Sequence, residues 1–162
     1  LAFGSGRPAV GVSTLEALAR NLDHGDPAEE KVMPKIICPV MDARRGQLYT
    51  ARFIRRGDGL ERLTPDRAIS YTEFESETLP LGKVWLCGDG YELVHGLMPE
   101  GSAFDTPERL RYQSAYSVAM AALAAYGRGD YGNADTLSPV YLRLSQAERE
   151  RAERLARESE NK

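Results

Sequence analysis

The chain has 162 residues, a formal net charge of −3 and a sequence pI near 5.5. That length suits one domain or two small lobes and buries roughly 70% of the unfolded chain's surface. The acidic balance lacks the basic footprint of a typical nucleic-acid binder and leaves room only for a local basic patch; no apolar run approaches the ~18 residues of a membrane-spanning helix, and no signal-peptide pattern is recognisable. Cys38 and Cys87 lie inside the apolar runs "IICPV" and "VWLCG", so they are expected to be small buried hydrophobes rather than a disulfide, which suits a reducing cytoplasm.

In chain order, Leu1 to Phe3 read as the last turn of an apolar helix stopped by Gly4, Gly6 and Pro8. A chain that opens there, without an initiator Met, reads as a fragment. "AVGVST" (9–14) predicts a short buried strand running into a helix. Ser13 and Glu16 have the spacing of a capping box, and Leu15, Leu18, Ala19 and Leu22 share one helical face. Residues 23–34 form a polar connection whose His24 has no second metal-ligand type at a metal spacing. "KIICPVMD" predicts an inner strand and "GQLYTARFIRR" an alternating one, joined as a hairpin by Ala43 to Gly46. Gly57-Asp58-Gly59 marks a second turn, and "AISYTEF" a further strand or a helix entry. "GKVWLCGDGYELVHGL" reads as strand (Val84 to Cys87), glycine turn (Gly88-Asp89-Gly90) and helix (Tyr91 to Leu97). Thr106-Pro107 predicts a capped helix start, and Gln113 to Gly129 an alanine-rich helix stopped by Gly127. Val140 to Leu142 suggest a strand. A charged helix then opens at a second capping box, Ser145 and Glu148, with favourable pairs Glu150–Arg154 and Glu153–Arg157. Strands alternating with helices, plus one hairpin, give a mixed α/β domain with helices layered on a sheet.

Few residues offer chemistry. The two histidines lie in different segments, and no His-Glu-x-x-His, His-x-x-x-His, Cys-x-x-Cys, Gly-x-Ser-x-Gly or Walker A spacing occurs. "GSGRPAVG" reads as helix termination plus a turn. The stretch "DARRGQ" remains. Its turn backbone is able to form an anion nest with Arg44 or Arg45 adding charge; equally, Asp42 is able to accept hydrogen bonds from the turn's own N–H groups.

Four segments, "VGVSTLEALA" (10–19), "DARRGQLYTARF" (42–53), "GDG" (88–90) and "PVYLRLSQAERE" (139–150), together resemble the TsaB/YeaZ family in order and spacing. The resemblance implies a mixed sheet with helices, one lobe of the actin/Hsp70/sugar-kinase (ribonuclease H-like) fold, in the superfamily that also carries the M22 glycoprotease label. It implies a part in making threonylcarbamoyladenosine on tRNA as a pseudo-enzyme: a scaffold for its paralogue TsaD, which carries the His-x-x-x-His metal site that is missing here. Expected partners are TsaD and the ATPase TsaE, with a homodimer admitted, tRNA met only through the complex, and no membrane; the setting is cytoplasmic. This chain itself requires no cofactor, and ATP with Mg²⁺ enters with the complex. Asp42, Arg44, Arg45 and Gly46 stand where the second lobe's phosphate loop lies in active relatives, and Gly88, Asp89 and Gly90 where relatives contact a nucleoside. No residue is expected to be catalytic or to bind metal. The rival reading is an ATP-dependent carbamoyl-transfer or sugar-kinase-type enzyme using Asp42.

The first-lobe motifs of the family are missing. Residues 1–144 are therefore expected to be the second, C-terminal lobe alone, and 145–162 a charged helix or tail. The inter-lobe face, with Gly4 to Pro8 and the alanine-rich helix, would then be bare.

Overall fold

The computed structural model describes residues 2–22, 36–56 and 59–143, together with Arg154 and Arg157. A short helix α1 (Ala2–Ser5) ends as the sequence suggests, although Gly4 lies inside it. Gly6 at φ +62 terminates it, with Gly6 N–H donating to the Phe3 carbonyl and Arg7 N–H to that of Ala2. The expected strand at 9–14 does not form. Among the described residues, Ala9 makes one antiparallel bridge, to Gly132. Helix α2 (Thr14–Arg20) follows. Ser13 Oγ accepts from Glu16 N–H at 3.1 Å, but only half the capping box is built: the Glu16 carboxylate turns instead to Arg20 and Arg62, and Ser13 Oγ donates to Asp66 at 2.6 Å.

Strand β1 (Ile36–Arg44) is the centre of the sheet. On one edge it pairs antiparallel with β2 (Gln47–Thr50) and β3 (Phe53–Arg56); on the other it pairs parallel with β6 (Val84–Cys87), which pairs with β7 (Ala103–Phe104). Strand β4 (Gly59–Arg62) lies against β3, and β5 (Arg67–Ser70) against β2. The turn expected at Gly57-Asp58-Gly59 falls partly outside the described residues. One alternating run thus becomes two strands, and Pro39 accounts for the break. In a register of Val40↔Thr50 and Ile37↔Phe53, Pro39 faces Ala51, and proline has no N–H to donate. The backbone turns elsewhere: Thr50 Oγ1 donates to the Pro39 carbonyl at 2.8 Å, and Arg52 N–H to Thr64 Oγ1 at 2.8 Å.

Alternation carries side chains to opposite faces. Cys38, Val40, Leu48, Val84 and Leu86 meet helices α3 (Tyr71–Thr78) and α4 (Tyr91–Leu97) through Phe74, Tyr91, Val94 and Met98. Ile37, Ala51, Phe53 and Cys87 meet α2 through Leu15, Leu18, Ala19 and Leu22. "AISYTEF" thus resolves into both options, strand β5 and then α3 capped by Ser70 Oγ. Helix α6 (Ala115–Gly127) packs on α2 and buries Ser117, Ala121 and Ala125, small residues one turn apart. Its stop is Gly129 at φ +83, not Gly127: Gly129 N–H reaches the Tyr126 carbonyl and Asp130 N–H that of Ala125.

Two further expectations change. Thr106 does not cap α5 (Glu108–Arg111); its buried hydroxyl donates to the Leu86 carbonyl at 2.6 Å, and Pro107 precedes the helix without a side-chain cap. Val140 to Leu142 form no strand, and Val140 and Tyr141 are exposed. The second capping box at Ser145 and Glu148 lies outside the described residues. No described helix is long and apolar enough to cross a membrane.

Candidate functional site

Because β1 and β6 are parallel neighbours, with Pro39↔Cys87 in register, the loops leaving their carboxyl ends lie side by side. The fold therefore brings together the two candidate groups that sequence separates by more than 40 residues. Gly90 N–H donates to the Val40 carbonyl at 3.1 Å, and Asp42 N–H to Asp89 Oδ1 at 3.3 Å. Glycine is required at position 88. At φ +109, a Cβ there would sit 2.0 Å from the Val40 carbonyl oxygen. Gly88 N–H donates to the Arg111 carbonyl at 2.6 Å, so α5 also fixes this loop.

The β1–β2 connection is a tight turn. Arg44 pairs with Gln47, a bulge separates it from Asp42, and Arg44, Arg45 and Gly46 all have positive φ (63°, 55° and 74°). Asp42 is engaged by that turn: Oδ1 accepts from Arg44 N–H at 2.7 Å and Oδ2 from Arg44 Nη1 at 2.9 Å. Both carboxylate oxygens thus each accept one hydrogen bond from the residue two positions on. Among the described residues no group of three or more His, Cys, Asp or Glu is placed to hold a metal ion. The Gly46 carbonyl accepts from Tyr71 N–H at 3.2 Å and the Ala43 carbonyl from Arg143 Nη1 at 2.7 Å.

Sequence reasoning missed three contributors. Tyr71 opens α3 against the turn; desolvation first, then the Asp42 carboxylate, raise its hydroxyl pKa, against the pull of Arg44. Arg111 lies over the Tyr91 ring at 3.9 Å, pairs with Glu92 and donates from Nε to the Thr106 carbonyl at 2.7 Å, fixing the start of α4. Arg143 returns from the far end of the described chain. Of these, Arg143 lay in the quoted segment "PVYLRLSQAERE" and Tyr71 in "AISYTEF", but no local spacing signals a contact made across the sheet. His95 stacks on Tyr91 and meets Asp105 at 3.2 Å. Cys38 and Cys87 are free and buried on opposite faces of the sheet. Burial pushes the Cys38 thiol up to about 12, with Arg52 and Arg67 opposing, and raises Cys87 further, with Cys38 adding to the effect.

Comparison with known proteins adds independent support. The family described as "TsaD: tRNA N6-adenosine threonylcarbamoyltransferase" matches residues 1–126. The tRNA threonylcarbamoyladenosine biosynthesis protein TsaB of Bacillus subtilis (strain 168) is 35% identical over 74 residues, 46% of this chain and 29% of that protein. Two solved structures share the fold: an uncharacterized protein with similarity to peptidase YeaZ from Pseudomonas aeruginosa (TM-score 0.64, 24% identity, 88% of this chain and 62% of that one) and YeaZ from Pseudomonas aeruginosa (TM-score 0.62, 21% identity, 87% and 62%). The chain spans less than two thirds of the length of each of these relatives. The mixed sheet with helices on both faces is the actin-like, ribonuclease H-like architecture anticipated from the motifs. The chain belongs to the TsaD-type threonylcarbamoyltransferase family, and within it is similar to TsaB and YeaZ.

Proposed function

We propose that this chain is the second lobe of a non-catalytic partner subunit in the formation of threonylcarbamoyladenosine on tRNA, supporting a TsaD-type transferase alongside a TsaE-type ATPase. Family membership over residues 1–126 carries the reading. In the turn, Asp42 accepts from the Arg44 N–H and guanidinium, as a carboxylate with a structural part in the turn would. The two-lobe arrangement is supported by α6, whose Tyr116, Val118, Leu123 and Tyr126 are exposed on a helix without a charged residue. Such a helix is ordinarily covered on several sides. The test mixes the full-length protein with the TsaD-type and TsaE-type proteins of the same organism. Co-elution and a gain in tRNA modification are expected; neither occurring rejects the reading.

One observation favours the rival, ATP-using enzyme. The two loops meet at the carboxyl ends of parallel strands, the usual crevice for ligands in open α/β sheets. Calorimetry with ATP and Mg²⁺ decides: binding abolished by Asp42→Ala, accompanied by turnover, would establish it.

A further inference from the structure

We infer that the cleft between α3 and α4 receives an apolar side chain from a cationic helix of a partner protein, a surface that deepens the partner reading above and rests on it. The cleft follows from how the two helices are seated. Helix α3 packs over β5 and β2, whereas α4 packs over β1 and β6. Between them the sheet leaves a cavity of about 210 Å³, lined by Leu48, Phe74, Val94 and Met98. These four are buried, and they belong to the core cluster of this face. Leu97 forms part of the wall yet is itself exposed, as is Leu93 one turn before it on α4. On the opposite face α2 is covered by α6.

Size and charge select the occupant. The volume lies below the roughly 300–1,000 Å³ of small-molecule sites and suits one large side chain, the anchor that commonly dominates a protein interface. Glu75 is the charged residue of the lining, and among the described residues it has no ion-pair partner. Helix α3 carries Glu73, Glu75 and Glu77 and no cation; Glu77 is committed to Arg52 and Arg67. Helix α4 contributes neither lysine nor arginine: its Glu92 pairs with Arg111 and its His95 meets Asp105. An apolar socket bordered by an unpaired carboxylate is complementary to a Leu, Met or aromatic anchor with Lys or Arg one turn away. A cleft between two helices takes such a segment as a helix laid in a groove. The same carboxylates repel a nucleic-acid backbone.

The experiment measures binding of the full-length protein to the TsaD-type and TsaE-type proteins, each separately and at low and high salt. The variants are Leu97→Gln, Glu75→Lys and, as a control on the opposite face, the exposed Glu108→Lys of α5. Leu97→Gln and Glu75→Lys are each expected to weaken binding to one of the two proteins about tenfold. Glu75→Lys alone also removes much of its salt dependence, which a purely structural role does not do. Glu108→Lys leaves affinity and salt dependence unchanged. Wild-type binding that neither cleft variant alters overturns the inference and leaves the partner reading standing. Absence of wild-type binding overturns both. Self-association of the wild type that both cleft variants abolish places a second copy in the cleft and overturns the inference. Destabilisation of the protein alone by both cleft variants, reproduced by deleting residues 144–162, overturns it in favour of the chain's own segment.

Discussion

Gly88→Ala is the sharpest perturbation the site offers. The added Cβ would lie 2.0 Å from the Val40 carbonyl oxygen and 2.9 Å from its carbonyl carbon, backbone atoms of the central strand that have no rotamer with which to move aside. The φ of +109° adds strain of roughly 1–2 kcal/mol for any side chain. Relief requires β1 and the loop to separate, which weakens the Gly90 N–H to Val40 hydrogen bond, worth about 1 kcal/mol. Together with lost packing between β1 and β6, the cost is about 3–5 kcal/mol, at the upper end for single substitutions. For a chain of this size that is a fall in Tm of roughly 6–20 °C. Gly82→Ala is the control: nothing lies within 4 Å of the added methyl, so only the strain of a side chain at φ +81°, ψ −151°, about 1–3 kcal/mol, applies. Paired urea titrations of the two variants make the comparison. Equal destabilisation would show that the close approach of the two loops is not what fixes glycine at position 88.

Two further outcomes follow from burial. The Cys38 thiol is held protonated in the fold up to about 12, against an ordinary value of 9.0. The unfolded chain therefore releases that proton first, and stability falls as pH rises from about 9 towards 12, with a slope of up to ~1.4 kcal/mol per pH unit for the thiol; urea midpoints across that range should fall less steeply in Cys38→Ala, and an identical slope would refute the assignment. Asn21 is 8% exposed and joins three elements: its Nδ2 donates to the Leu110 and Tyr112 carbonyls at 3.1 and 2.6 Å, and its Oδ1 accepts from Ser117 Oγ at 2.6 Å. Asn21→Ala strands those buried groups at a cost of about 2–4 kcal/mol, and a loss below 1 kcal/mol by thermal denaturation would mean that water replaces the side chain.

What was legible in the sequence was whatever a local pattern encodes. The strand–glycine–helix unit from Val84 to Leu97 appears where the composition puts it, and the buried face of α2 follows its i, i+3, i+4, i+7 spacing. What failed depended on distant partners. A threonine before a proline looks like a helix cap in isolation, but Thr106 has the carbonyl of Leu86 within reach and bonds there. Residues 9–14 had strand composition, yet only Ala9 forms a bridge, to Gly132. Gly127 and Gly129 are both capable of stopping α6, and only the hydrogen bonds of the last turn distinguish them. The break at Ala51–Arg52 was in principle readable, since Pro39 stands in a run otherwise suited to a central strand, but it required the pairing register to see which residue the missing donor would face.

The candidate site divides along the same line. Its members were legible as short motifs, and their meeting was not, because the parallel pairing of β1 with β6 is a property of the sheet. That pairing also separates two kinds of residue that the motif lumps together. Gly88, Gly90 and Asp42 are accounted for by the fold: the glycines by the approach of Val40, and Asp42 by the N–H and guanidinium of Arg44. Arg45 is not, since it sits in a backbone conformation unfavourable to it and meets no described partner. A residue that a fold explains needs no outside ligand to justify it.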